Sequence, residues 1–100
     1  MNNLTLVDLF LNEYWIEKGL SENTVQSYRL DLTALCDWLD KQNLSLETLE
    51  PLDLQQFLGS RLEQGYKATS TARMLSAMRK LFQYLYREKY RTDDPSAVLS

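Results

Sequence analysis

The sequence predicts an all-α fold, a compact four-helix domain made of two helical hairpins. Only three glycines and two prolines interrupt its 100 residues. Apolar residues recur at helical spacing over four separate stretches. The one alternating stretch, with Leu44, Leu46 and Leu49, has no second stretch to pair with as a strand. At 44% hydrophobic and 25% charged, the composition is that of an ordinary globular chain with one domain's core.

The first helix is predicted to start at Thr5, an N-cap residue with Asp8 three positions on, in a variant of the capping box. Val7, Phe10, Leu11 and Tyr14 form its inner stripe, and Gly19 ends it. Ser21 caps the second helix, with Glu22 in the first turn. Its apolar stripe is Val25, Tyr28, Leu32, Leu35, Cys36 and Leu39, fading near Gln42, and Trp38 falls off that stripe. Asn43 to Glu50 reads as a loop that tucks its leucines onto the core. Pro51 suits the first turn of a third helix, with Leu54, Phe57, Leu58 and Leu62 facing inward. Gly59 weakens that helix, which a closely packed neighbour would explain, and Gly65 closes it. A very short turn then leads into a last helix, roughly Thr69 to Lys89, making the second hairpin. The tail TDDPSAVLS reads as a linker with one short turn.

The last helix carries the clearest functional signal. At about 100° per residue, Met74, Leu75, Met78, Leu81, Phe82 and Leu85 share one stripe. Thr69, Arg73, Ser76, Lys80, Gln83 and Arg87 share the opposite one, which holds cations and hydrogen-bond donors but no acid. Such a row suits phosphates and base edges, and equally an ordinary solvated face. Charge distribution favours an electrostatic partner. The chain is formally −3, with a pI near 4.8. Yet residues 61–91 carry eight cations against two acids, a net of +6, while residues 1–60 carry three against ten, a net of −7.

Several chemistries are excluded. The chain has no histidine, and so neither the commonest general base nor the commonest zinc ligand. P-loop, GxGxxG and CxxC motifs are absent. The single Cys36 lies on the apolar face of its helix and reads as a buried, inert thiol. No apolar run approaches the length of a membrane helix, and Asp8 and Glu13 interrupt the N-terminal apolar residues, against a signal peptide. No self-contained active site, metal site or cofactor site is expected, and no small-molecule substrate or membrane partner.

The runs SENTVQSYRLDL (Ser21–Leu32) and GYKATSTARMLSAMRKLFQYLYREKYRTDDPSAVL (Gly65–Leu99) resemble the N-terminal core-binding domain of Xer-type tyrosine recombinases, a SAM-like helical domain. The first run is also similar to phage and transposon integrases; the second is the more specific. The resemblance implies that residues 1–91 form a DNA-recognition domain and that 92–100 begin a linker to a catalytic domain beyond this chain. It implies that the full-length protein is a DNA-cleaving and rejoining enzyme acting through a tyrosine of that domain. This chain is then no enzyme by itself. The implied partners are the double-stranded DNA of a recombination half-site and sister subunits, one of them XerC-like, in a tetramer on DNA. The implied location is the cytoplasm.

The family's DNA-facing elements correspond here to two groups. Ser21, Asn23, Thr24, Gln26 and Ser27 lie at the start of the second helix; Lys67, Thr69, Ser70, Thr71, Arg73, Ser76, Arg79 and Lys80 lie at the start and along the face of the last. Free N–H groups and short polar side chains at helix starts suit phosphate oxygens, and an Arg fork at position 73 suits guanine. Ser21 also reads as a plain N-cap, Thr24 as support for it, and Arg29 and Arg79 as partners for either a phosphate or an acid. Arg87, Lys89 and Arg91 read as solvated or facing a neighbouring subunit. The competing reading is a helical protein-interaction module that docks an acidic partner on the basic face of the last helix, with Trp15 and Trp38 as exposed candidates.

Overall fold

Four helices form in the order and near the positions that the periodicity predicts. The computed structural model describes residues 1–99. It contains α1 (Asn3–Lys18), α2 (Glu22–Lys41), α3 (Pro51–Glu63) and α4 (Ala68–Arg87), and no strand among the described residues. They group into two units, Met1–Leu46 with α1 and α2, and Glu47–Ser100 with α3 and α4, each a helical hairpin.

In the first unit the start of α1 differs from expectation. Asn2, not Thr5, is the cap, its side chain accepting the Thr5 N–H at 2.8 Å. Both are good capping types; the earlier start adds Leu6 to the buried stripe of Val7, Phe10 and Leu11. Asn3 is also buried. Its Nδ2 donates to Asp40 Oδ1 at 2.9 Å and to the Leu44 carbonyl at 3.0 Å, and its Oδ1 accepts the Leu46 N–H at 2.8 Å. This one side chain fixes the path of the chain as it leaves α2 and seats Leu46 in the core. Gly19 ends α1 in the left-handed region, φ +59°.

Ser21 caps α2 as expected, and Val25, Leu32, Leu35, Cys36 and Leu39 are buried. Tyr14 is half-buried, stacked on Phe10 at 5.1 Å and tilted against Tyr28 at 6.1 Å. Burial first, then Tyr28 and Glu17, push its hydroxyl above the ordinary tyrosine range. Burial, reinforced by Asp40, Asp37 and Asp8, pushes the Cys36 thiol up to about 12, so it stays protonated at neutral pH.

In the second unit Pro51 opens α3, with the Asp53 carboxylate accepting the Glu50 N–H at 2.8 Å. Leu54 and Phe57 are buried, but Leu62 is 54% exposed and Arg61, at 7%, takes the inner place. The reason is angular: Arg61 is seven residues after Leu54 and four after Phe57, at the centre of the stripe, and Leu62 is at its edge. No close neighbour explains Gly59, because nothing lies within 4 Å of where its Cβ would be. Gly59→Ala is therefore expected to stabilise the chain by about 0.5–1 kcal/mol, read as a raised midpoint in thermal unfolding.

Three helices close with the same Schellman arrangement. After α2, the Leu44 N–H reaches the Leu39 carbonyl at 2.9 Å; after α3, Tyr66 reaches Arg61 at 3.1 Å; after α4, Tyr90 reaches Leu85 at 2.9 Å. The left-handed residues are Asn43, Gly65 and Lys89. Helix α4 buries Met74, Ala77, Met78, Leu81, Phe82, Tyr84 and Leu85. The tail makes a turn in which Asp94 accepts the Ser96 N–H at 2.9 Å and its hydroxyl at 2.6 Å. Arg91 is buried rather than solvated. It donates to the Leu49 carbonyl at 2.8 Å and to Asp93 at 3.0 Å, with its guanidinium 5.8 Å from the centre of the Phe82 ring.

Candidate nucleic-acid interface

The thirteen residues singled out from the sequence fall into two groups, one in each unit. On α4 the amphipathic pattern settles which face is outward: Thr69, Arg73, Gln83 and Arg87 are exposed, and Ser76, Arg79 and Lys80 are half-buried. The helix contains no acid. Lys80 Nζ donates to Ser76 Oγ at 2.8 Å, one turn back, which holds the ammonium along the stripe. Arg79 donates to the carbonyl of Leu99, so it is engaged by the tail of its own unit. Arg87 pairs with Glu88 at 3.4 Å in solvent, a contact of little energetic weight.

The start of α4 is open. Lys67 is the N-cap residue, with φ −66° and ψ 151°, and no side chain caps the first turn. Lys67 and Thr69 are exposed, while Ser70 and Thr71 are half-buried. Beneath this turn lies Arg61 of α3, whose Nη2 donates to Ser70 Oγ at 3.2 Å. Its guanidinium sits 4.1 Å from the centre of the Tyr66 ring and 5.8 Å from that of Phe57. Arg61 is absent from the residues picked out of the sequence. Its place in the α3 stripe was the signal, hidden by counting only apolar side chains.

In the first unit, Ser21 Oγ accepts the Thr24 N–H at 3.2 Å and lies 3.0 Å from Thr24 Oγ1. The two residues thus spend part of their polar capacity on the cap itself. Asn23 and Gln26 are exposed and Ser27 is half-buried. Gln26 also lines an open groove of about 440 Å³ with Leu11, Trp15, Ile16, Val25 and Arg29. The Arg29 guanidinium pairs with Asp8, which resolves its two readings in favour of an acid partner.

Both groups offer hydroxyls and amide N–H groups, and the α4 group adds the cations Lys67, Arg73, Arg79 and Lys80, which is the chemistry that holds anionic oxygens. Among the described residues no set of three carboxylates or thiols is grouped for a metal ion. No helix is long and apolar enough to cross a membrane.

Comparison with known proteins gives the pattern a lineage. Residues 7–89 match the family described as phage integrase, N-terminal SAM-like domain. The tyrosine recombinase XerD of Haemophilus influenzae is 88% identical over 100 residues, all of this chain and 34% of its own length. The tyrosine recombinase XerD of Pasteurella multocida is 75% identical over the same share of both chains, 100% and 34%. That of Yersinia pestis is 61% identical over 95 residues, 95% of this chain and 32% of its own length. The chain thus spans about a third of the length of these relatives. Four helices in two hairpins, and a family match that runs from the first turns of α1 to just past the end of α4, lead to one assignment: the chain belongs to the phage integrase N-terminal SAM-like domain family.

Proposed function

We propose that this chain is the double-stranded-DNA-binding part of a site-specific tyrosine recombinase of the Xer type, holding one side of a recombination half-site while a separate catalytic domain cuts and rejoins the strands. The observation that carries this reading is the acid-free outward stripe of α4, in a family whose relatives here are named tyrosine recombinases. Lys67, Thr69, Ser70 and Thr71 at the α4 start, and Ser21, Asn23, Thr24, Gln26 and Ser27 at the α2 start, hold phosphates. Arg73 and Ser76 approach base edges, and Arg79 and Lys80 add positive charge beside them. Residues 1–91 are the recognition domain and 92–100 the start of the linker. The partners are duplex DNA and sister subunits assembled on it, and the place of action is the cytoplasm.

Binding through about four to six phosphates gives a slope of log K against log salt of about −3.5 to −5.5. An NMR titration with a short duplex at low salt is expected to shift amides in Ser21–Ser27 and Lys67–Lys80, with the shifts lost at high salt. Arg73→Ala is expected to weaken binding about tenfold, the scale of one good contact. Shifts produced by an acidic peptide but not by duplex would instead make the α4 face a protein-docking surface.

A further inference from the structure

Arg61 is a buried charge with an incomplete set of partners. The residue is 7% exposed, yet no described carboxylate pairs with it. Among the described residues its one hydrogen bond is to Ser70 Oγ, and its Nε is buried without an acceptor. Thr71 Oγ1, one residue along, is a second buried polar atom without a partner. Stacking on Tyr66 and Phe57 compensates part of the desolvation but supplies no anion. A desolvated cation without a counter-charge is unfavourable. Here the neighbouring structure makes it worse, because the guanidinium sits under the positive end of the 20-residue helix α4, whose first turn no side chain caps. The buried guanidinium and the uncapped positive end of α4 meet at one turn through Ser70, and an oxyanion there would offset both.

We propose that the first turn of α4 is a phosphate pocket with Arg61 as its floor, occupied by one backbone phosphate of the bound duplex. This rests on the DNA reading above and adds to it a residue from α3. The phosphate meets the amides of Ala68, Thr69 and Ser70 and the Ser70 hydroxyl. That hydroxyl accepts from Arg61 and so turns its own proton toward the anion. Arg61 acts through Ser70 and through its field, and is a positioning residue. A purely structural Arg61 would serve only as a brace between Phe57 and Tyr66, and its charge would not affect anion binding.

The test uses the 100-residue chain and its Arg61→Gln, Arg61→Lys and Ser70→Ala variants, each checked for folding by circular dichroism. Two probes are titrated and read by amide shifts, inorganic phosphate and a short duplex, the duplex at several salt concentrations. Inorganic phosphate is expected to shift Ala68, Thr69 and Ser70 in the parent and in Arg61→Lys, and to bind about tenfold more weakly to Arg61→Gln, the scale of a lost charged hydrogen-bond partner. The duplex salt slope is expected to fall by about 0.9 in Arg61→Gln, the loss of one phosphate contact, and to be kept in Arg61→Lys. If Arg61→Gln does not fold, Ser70→Ala carries the test, with the same loss of phosphate affinity expected. Salt-dependent duplex binding that is unchanged in the folded variants overturns the pocket and leaves the DNA reading standing. Arg61-dependent phosphate binding without any duplex binding keeps the pocket as an anion site and overturns the DNA reading. No response of the α4 amides to either probe overturns both.

Discussion

Phe82→Ala is expected to destabilise the chain by about 3–5 kcal/mol, the usual cost of emptying a buried aromatic site. Phe82 is fully buried, in the middle of an α4 stripe that also carries Met78, Leu81 and Leu85. Its ring also supports the Arg91 guanidinium. Truncation removes the packing, leaves a cavity, and takes from a buried cation the surface on which it rests. Against a total of about 5–15 kcal/mol for a domain of this size, the loss is about a fifth or more. The midpoint of thermal unfolding should fall by more than about 12 °C. Leu62→Ala is the control: exposed on α3, it should change stability by less than about 0.5 kcal/mol. Equal effects from the two variants would contradict the burial pattern of the second unit.

Asn3→Ala is expected to cost about 2–4 kcal/mol, more than its small size suggests. Three groups lose a partner at once: the Asp40 carboxylate, the Leu44 carbonyl and the Leu46 N–H. Leu46 is fully buried, so its amide has no access to replacement water. Asn3→Asp sharpens the test because it is nearly isosteric. It exchanges two donated hydrogen bonds for a carboxylate facing Asp40 and a carbonyl oxygen. The new carboxyl is pushed above its ordinary range in the folded state, so the penalty is expected to grow as pH rises above about 4 and to shrink below it. Urea unfolding at pH 3.5 and pH 7 reads the difference. A pH-independent loss would mean that the side chain at position 3 swings clear of Asp40.

Much of the fold was legible because helix starts and stops are local chemistry. Ser21, Pro51, Gly19 and Gly65 act where their own backbone and side-chain preferences place them, and the structure uses all four. The start of α1 was less legible because Asn2 and Thr5 are both competent caps, and the choice between them depends on whether Leu6 is buried. Asn43 and Lys89 were invisible as left-handed residues, since helix termination by tertiary packing needs no glycine. Arg61 was missed for a different reason. Periodicity counted over apolar residues alone skips a guanidinium at the centre of the inner stripe, although its position relative to Leu54 and Phe57 identifies the face. The two polar groups themselves could be read from the sequence, because an acid-free helix face and a capped helix start are visible there. Which side chains are already engaged, as Arg29 is with Asp8 and Arg79 with Leu99, depends on contacts across 21 and 20 residues that no local pattern encodes.

The buried Arg91 has a consequence for how the second unit opens. Its hydrogen bond to the Leu49 carbonyl joins positions 42 residues apart. One partner immediately precedes the α3 cap at Glu50 and the other immediately follows the Schellman closure of α4. A terminus normally frays alone, at little free-energy cost. Here the approach to α3 and the exit from α4 are tied to each other, so neither can loosen without breaking the shared bond and exposing a desolvated cation. In hydrogen exchange the amides flanking Leu49 and those of the last turn of α4 would then protect and release as one cooperative element. The α3–α4 pair behaves as a closed ring, held by one arginine where a small secreted domain would use a disulfide.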